Sequence, residues 1–485
     1  MRFSGFLVGA LVAASASSQA QIYFSQEERS QVLEYWSSQD RYRTAPLADS
    51  LVKGSWRVRL TPEGSRWMLD YTRLIQPAKV SPSQDVKALT PQQKVWETWL
   101  SRKVAWDNWK AAQDAFEKNR AEGASAPDVP GPEPARPGSM PSDLAGRLAQ
   151  APAFASAVQP ALHQVQFDDG MQLTYQDNVG MRQRFAYYRS AEGVQSFGRK
   201  VKEMSPQELT SLAREAGISD SDLRVLNSVS LLEGGFDSLN TYDTGYVSVG
   251  MIQFAALQGG SGSLGRVLLR MKQRSPGEFV QNFRRFGLEV TPNAELAALC
   301  PTSGAEFIGA HAAQKIIMDK RLASVFQRAG RLSREFKVAQ LMIAKEMYHP
   351  ASDTIRVRAG SRSWNVKVAD VFKSEAGIAT LMDRKVNTGK LGSLDSVASS
   401  LASQAGLDSP DELALLEHDL IQAMKYRKDY LSDPTLTKPR DVSIEGLRAQ
   451  RAGVSRGSTA SRSGTRSGRG STPAKAAGTT KKSSK

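Results

Sequence analysis

Eight prolines fall between residues 121 and 160, set among Ala, Gly and Ser with few large apolar side chains. Proline fixes φ and lacks a backbone N–H, so such a stretch is neither a helix interior nor a central strand. It predicts a linker or spacer over 121–164. The chain then divides into a region over 21–120, a longer region over 165–432, and a tail over 433–485. At 485 residues it is long enough for several domains and a sizeable core.

The ends of the chain bear on where it works. Arg2 is followed by an apolar stretch, Phe6 to Ala14, and then by small residues with Ser18-Gln19-Ala20 as a cleavage site. That is the layout of a secretory signal over 1–20. The apolar stretch is too short for an ordinary membrane span. Export to the periplasm, cell wall or exterior is expected. Cys300 is the single cysteine, so no intramolecular disulfide forms and stability must come from packing. Residues 451–485 carry nine basic and no acidic residues among Ser, Gly and Thr, a composition that cannot build a core. The formal charge of +15 points to polyanionic surroundings. For an exported chain these are anionic wall polymer or a membrane surface, reached through the basic tail, and nucleic acid is not expected.

In the N-terminal region Ser25 and Glu28 form a capping box ahead of a helix carrying Val32 and Tyr35. Trp56, Val58 and Leu60, then Trp67, Leu69 and Tyr71, alternate on either side of Pro62-Glu63-Gly64 and predict a hairpin. A long helix is expected from Val95 to Phe116, with Trp99, Trp106 and Trp109 near one stripe. Seven of the eight tryptophans precede residue 110. Packed inward they form a small core; exposed, they would stack on sugar faces.

The longer region reads as mostly helical. Ile355, Val357, Trp364, Val366 and Val368 flank Gly360 as a hairpin. Helices are expected over Lys315 to Gln327 and Ser333 to Tyr348. Another is capped by Ser409-Pro410-Asp411-Glu412 and reaches about Leu431. The fold class expected is mainly α: a helical domain with small β-hairpins, preceded by a small Trp-rich α+β region.

Residues 222–254 carry the chemistry. Ser205-Pro206-Gln207-Glu208 starts a short helix, and a second helix follows from about Asp222, with Leu223, Leu226, Val229 and Leu232 on its buried face. Gly234-Gly235 ends it, which places Glu233 in its last turn, beside an apolar surface. Both surroundings push a carboxyl pKa upward. A glycosidic oxygen leaves poorly unless protonated, so a carboxyl that keeps its proton near neutrality suits that bond. Asn240 to Gly245 is rich in turn formers. Asp243 is the best second carboxylate, to activate water or stabilise charge at the sugar carbon, and it equally suits a turn cap. Tyr242, Ser248 and Gln253 are candidate substrate-binding residues. Asp237 is a weaker second carboxylate.

The run Glu233-Gly234-Gly235-Phe236, with Asn240, Asp243, Gly245 and Ser248 through Gln253 after it, resembles lysozyme-like muramidases whose catalytic Glu opens a Glu-Gly-Gly motif. It is similar also to soluble lytic transglycosylases, with Gly250-Met251-Ile252-Gln253 as a Gly-x-x-Gln run. Asp383 through Gly389 is similar to the Asp-x-x-Val-Asn-x-Gly helix of the first group. The resemblance implies a lysozyme-like fold over 165–432, with Glu233 as general acid and Ser248, Gln253 and Asn387 facing the cleft. Its substrate would be peptidoglycan, cut at the β-1,4 bond between N-acetylmuramic acid and N-acetylglucosamine. Two departures stand out. Gly234 occupies the position of the Ser that follows the catalytic Glu in many transglycosylases, and no late Tyr-Asn-x-Gly is evident. Tyr348, Arg427 and Tyr430 join Asn387 as residues able to line a cleft.

Other chemistries lack their signatures. The four histidines, His163, His311, His349 and His418, are widely spaced with no metal-ligand pattern, and no Gly-x-Ser-x-Gly elbow, phosphate loop or dinucleotide fingerprint occurs. No metal and no cofactor is expected, and the chain is expected to be a monomer. Two further readings are a wall-binding or structural protein that keeps the cleft without turnover, and a chitosanase-like glycosidase. The basic charge argues mildly against the second, whose substrate is cationic.

Overall fold

Residues 23–46, 54–75, 89–178, 190–442 and 444–448 are described by the computed structural model. The expected signal segment and the basic stretch 451–485 lie outside the described residues. The fold is predominantly helical, with several small antiparallel sheets distributed along the chain rather than confined to its N-terminal part.

The capping box of Ser25 and Glu28 opens the helix Gln26–Ser37 as expected. This helix belongs to the large core: Phe24, Val32 and Trp36 are buried there, and the Trp36 indole donates to the Phe286 carbonyl at 3.0 Å. Each such aromatic contributes on the order of 1.5–3 kcal/mol of burial. Tyr42–Pro46 then pairs with Ala161–Gln166, which pairs with Gln172–Gln176.

A second, smaller core is built by Trp67, Met68, Tyr71, Trp96, Trp99, Leu100, Leu144 and Phe154. Three expectations fail here. Trp67 and Tyr71 lie on the helix Pro62–Ile75, not on a strand. Pro62 at the helix start and the one-sided set Trp67, Met68 and Tyr71 outweigh the alternation of Trp67, Leu69 and Tyr71. The true partner of Arg57–Leu60 is Ala155–Val158. The Pro-rich segment expected to be a spacer packs against the long helix, which runs Pro91–Ala121 behind a Thr90 capping box. Its carbonyls, which no helix or sheet uses, accept indole N–H groups: Ala149 from Trp67 at 2.7 Å, Gly131 from Trp109 at 3.0 Å and Gly138 from Trp99 at 3.4 Å. Val95, expected on the stripe, is exposed.

In the longer region the hairpin about Gly360 is present, Thr354–Ala359 against Arg362–Lys367, with Ile355 opposite Val366. Lys315 to Gln327 is not one helix. Asp319 ends Ala310–Met318 and caps Lys320–Leu332, accepting from the Arg321 amide. Ser333 caps Arg334–Tyr348. The Ser409 capping box leads into a 3-10 turn, Pro410–Leu416, and the helix Glu417–Met424. That helix stops before Leu431, where Lys425 leaves the helical conformation, and the Arg384 guanidinium donates to the Met424 carbonyl at 3.0 Å. The expected tail begins in the core: Leu436 and Leu447 are buried, and Thr437 exchanges hydrogen bonds with Glu375.

Candidate active site around Glu233

Ser219 caps the helix Asp220–Ser230 by accepting from the Asp222 amide, and Leu223, Leu226 and Val229 are buried as expected. The helix ends at Ser230, so Glu233 sits in the turn after it rather than in its last turn. The amides of Glu233 and Gly234 both donate to the Ser230 carbonyl, at 3.0 and 3.1 Å. Leu231 and Leu232 are therefore turned outward, 54% and 41% exposed, which corrects the placement of Leu232 on the buried face. Gly234 has φ of 138°, and a Cβ there would stand 2.7 Å from that of Ser238. A Cβ on Gly235 would run into the Arg199 carbonyl. Both glycines are required by the turn that presents Glu233.

The Glu233 side chain is 12% exposed and meets residues from much later in the chain. Nη2 of Arg427 stands 2.5 Å from its Oε1. Arg427 is held in turn by Asp383, whose Oδ1 accepts from Nε at 2.9 Å and also contacts Nη2. Asp383 is fully buried, on the helix Glu375–Thr388, which Ser374 caps and Gly389 ends in a left-handed conformation. One turn along the same face, Asn387 donates to the Asp383 carbonyl at 2.8 Å and its side chain hydrogen-bonds Glu233. Tyr430 is buried against this group. Among the described residues, Asp383 Oδ2, Asn227 Oδ1, Arg384 Nε and the Tyr430 hydroxyl are buried side-chain atoms without a hydrogen-bond partner, whereas Glu233 Oε1 meets the Arg427 guanidinium. All four belong to the segments that pack around Glu233. Buried polar atoms are ordinarily satisfied, so the concentration here singles this cluster out as a candidate site.

Burial is the main influence on Glu233 and pushes its carboxyl above the usual carboxylate range. Arg427 opposes the shift, Asp383 adds to it, and the Asn387 hydrogen bond opposes it. The guanidinium fails to outweigh burial because its charge is already matched by Asp383. Burial weakens the hold of Arg427 on its proton, but the two carboxylates outweigh that and raise its pKa. Tyr430 is held protonated by burial. The arrangement can therefore supply a carboxylic acid proton beside a fixed carboxylate.

The other predicted residues lie elsewhere. Asp243 accepts from the Asn240 side chain at 2.8 Å and the Gly245 amide at 2.9 Å, as a turn cap does. Tyr242 lies in the same turn, its amide donating to Asn240 and its carbonyl accepting from Ser190. Ser248 is buried on the short strand Ser248–Val249 with its hydroxyl beside Gly245. Gln253 donates to the Ser238 hydroxyl at 2.7 Å, and Ser238 abuts Gly234, so it braces the Glu233 turn. Asp237 pairs with Arg331, and Tyr348 packs on Phe254. Thus Asn387, Arg427 and Tyr430 join Glu233, while Asp243, Tyr242, Ser248 and Tyr348 make the contacts given above. An open depression lined by Pro206, Gln207, Thr210, Ser211 and Arg214 contains none of these groups. Among the described residues no cluster of three His, Cys, Asp or Glu is placed to hold a metal ion, and no helix is long and apolar enough to cross a membrane.

The chain matches no protein-family model, no curated protein and no solved structure.

Proposed function

We propose that the protein is an exported glycosidase that cleaves peptidoglycan glycan strands at the β-1,4 bond between N-acetylmuramic acid and N-acetylglucosamine, on a lysozyme-like fold. The observation that carries this reading is the meeting of Glu233 with Asp383 and Asn387. Two stretches that resemble one family's motifs, far apart in the chain, converge on a carboxyl whose burial favours its protonated form. Glu233 donates that proton to the glycosidic oxygen, and the bond from the sugar carbon breaks with its electron pair leaving on oxygen. The sugar carbon is then captured by water, or by the muramyl 6-hydroxyl, which closes a 1,6-anhydro ring, and in either case the O–H proton passes to the Glu233 carboxylate left by the first step.

The ion pair with Arg427 favours a second reading. A carboxylate locked by a guanidinium and only 12% exposed suits a wall-binding or structural protein that holds glycan without turnover. A chitosanase-like glycosidase is the third. The test is incubation of purified protein with isolated peptidoglycan and with chitosan. Soluble muropeptides from the first, lost in Glu233→Gln, are expected; binding without release supports the second reading, and release from chitosan alone the third.

A further inference from the structure

The site described above pairs Glu233 with a carboxylate that the sequence did not single out as reactive. We propose that Asp383, acting through Arg427, governs the proton of Glu233, and that it rather than Asp243 is the second carboxylate on which the site depends. The inference rests on the reading of Glu233 as an acid. Arg427 has two anionic neighbours and one charge. Asp383 engages Nε and Nη2 of the guanidinium, and Glu233 shares Nη2 alone. Asp383 is itself fully buried and fixed by Asn387 one turn away, so it cannot turn to water and leave Arg427 to Glu233. With Asp383 charged, the guanidinium is matched before it meets Glu233, and Glu233 keeps its proton. Without the Asp383 carboxylate, the same guanidinium would turn its whole charge on Glu233 and favour its ionised form, which cannot protonate a leaving oxygen.

Other charges nearby are engaged elsewhere. After residue 424, Lys428 pairs with Asp433 and Ser228, and Lys425 with Asp429. On the helix Glu375–Thr388, Lys385 pairs with Asp353, while Arg384 turns to the Met424 carbonyl. On the helix Asp220–Ser230, Arg224 pairs with Glu375, and Asp222 pairs with Lys345 and His349. Tyr430, facing the site from the same segment as Arg427, stays neutral. Burial apart, the charge balance at Glu233 is thus set by Arg427 and Asp383. Asp383 is a positioning residue in this account, since it reaches Glu233 only through Arg427.

The experiment is a carbon-13 NMR titration of side-chain-labelled glutamate, with the Glu233 signal assigned by its loss in Glu233→Gln. It reads the proton whether or not the protein cleaves glycan. Asp383→Asn is expected to move the Glu233 midpoint down by about one unit or more, a tenfold loss of proton affinity. Arg427→Gln is expected to move it up, and Asp243→Asn to leave it in place. An unchanged midpoint in Asp383→Asn, or an equal shift in Asp243→Asn, overturns the proposal. Should Asp383→Asn not fold, an unchanged or lowered midpoint in Arg427→Gln does so. Midpoints that move as expected in a protein that releases no glycan fragment uphold the coupling and count against the glycosidase reading alone.

Discussion

Nη2 of Arg427 stands 2.5 Å from Oε1 of Glu233, and this contact ties the turn after the helix Asp220–Ser230 to the segment beyond Met424. The same guanidinium reaches Asp383, so three distant pieces of chain are joined through one partly buried cation. Breaking one partner of such a group leaves charge buried and unpaired, which is why the site depends on the packing of all three.

The turn that presents Glu233 depends on Gly234. Its φ of 138° lies where a side chain is strained, and a Cβ would meet Ser238. Gly234→Ala is expected to cost about 1–3 kcal/mol, read as a lowered urea midpoint. An unchanged midpoint would show that the turn is not so constrained. The same geometry explains the departure from the transglycosylase pattern, since a Ser here carries the same Cβ.

Gln340 holds the loop after that turn from beneath. Its amide donates to the Phe236 carbonyl at 2.9 Å and its oxygen accepts from the Met251 amide at 3.1 Å, all out of solvent. Gln340→Leu strands both backbone groups, for about 2–4 kcal/mol of stability. Hydrogen exchange at the Met251 amide should quicken in the variant; an exchange rate equal to wild type would remove Gln340 from this role.

The Pro-rich segment should resist proteases in the intact protein. Leu144 and Phe154 are fully buried, and the tryptophan indoles hold its carbonyls. Subtilisin is expected to spare residues 127–152 in wild type and to cut there in Trp99→Ala, which costs about 3–5 kcal/mol of core packing. Rapid cleavage of the wild type within this stretch would restore the spacer.

Acid should loosen the first helix. The Arg284 guanidinium beside Glu28 holds its carboxyl down to about 2, against an unfolded value of about 4.3. A depressed carboxyl contributes stability that is fully present above the unfolded value and is lost as pH falls toward the folded one. Thermal midpoints should therefore fall between about pH 5 and pH 2, and fall less in Glu28→Gln. Parallel curves for the two proteins would count against this pairing.

Part of the candidate site is legible in the sequence, and what is not has a physical reason. Glu233 stood out through its glycines, and Asn387 through the run Asp383 to Gly389; the two share one cluster. Arg427 and Tyr430 stand out in the sequence only as residues able to line a cleft, and the Ser409 cap predicts a helix reaching about Leu431. The helix ends at Met424, whose carbonyl accepts from Arg384, a distant residue that no local pattern reveals. The buried Asp383 took no role of its own, since nothing local shows that its partner is a guanidinium more than forty residues later. Leu232 was misplaced because three-residue spacing continued past the true helix end, where the Ser230 carbonyl gathers both following amides. The alternation of Trp67, Leu69 and Tyr71 misled in the same way: a short apolar run fits either period, and the packing of Trp67 on Tyr71 and Trp99 decides it.

The central claim is that Glu233 protonates a peptidoglycan glycosidic bond, and mass spectrometry of the fragments released from isolated peptidoglycan tests it most directly. Purified protein and Glu233→Gln, matched by circular dichroism, would be compared. The account predicts fragments from the wild type alone, with reducing muramic acid ends if water captures the sugar and 1,6-anhydro ends if the muramyl hydroxyl does. No fragments from the wild type on several wall types, or equal release by Glu233→Gln, would contradict it.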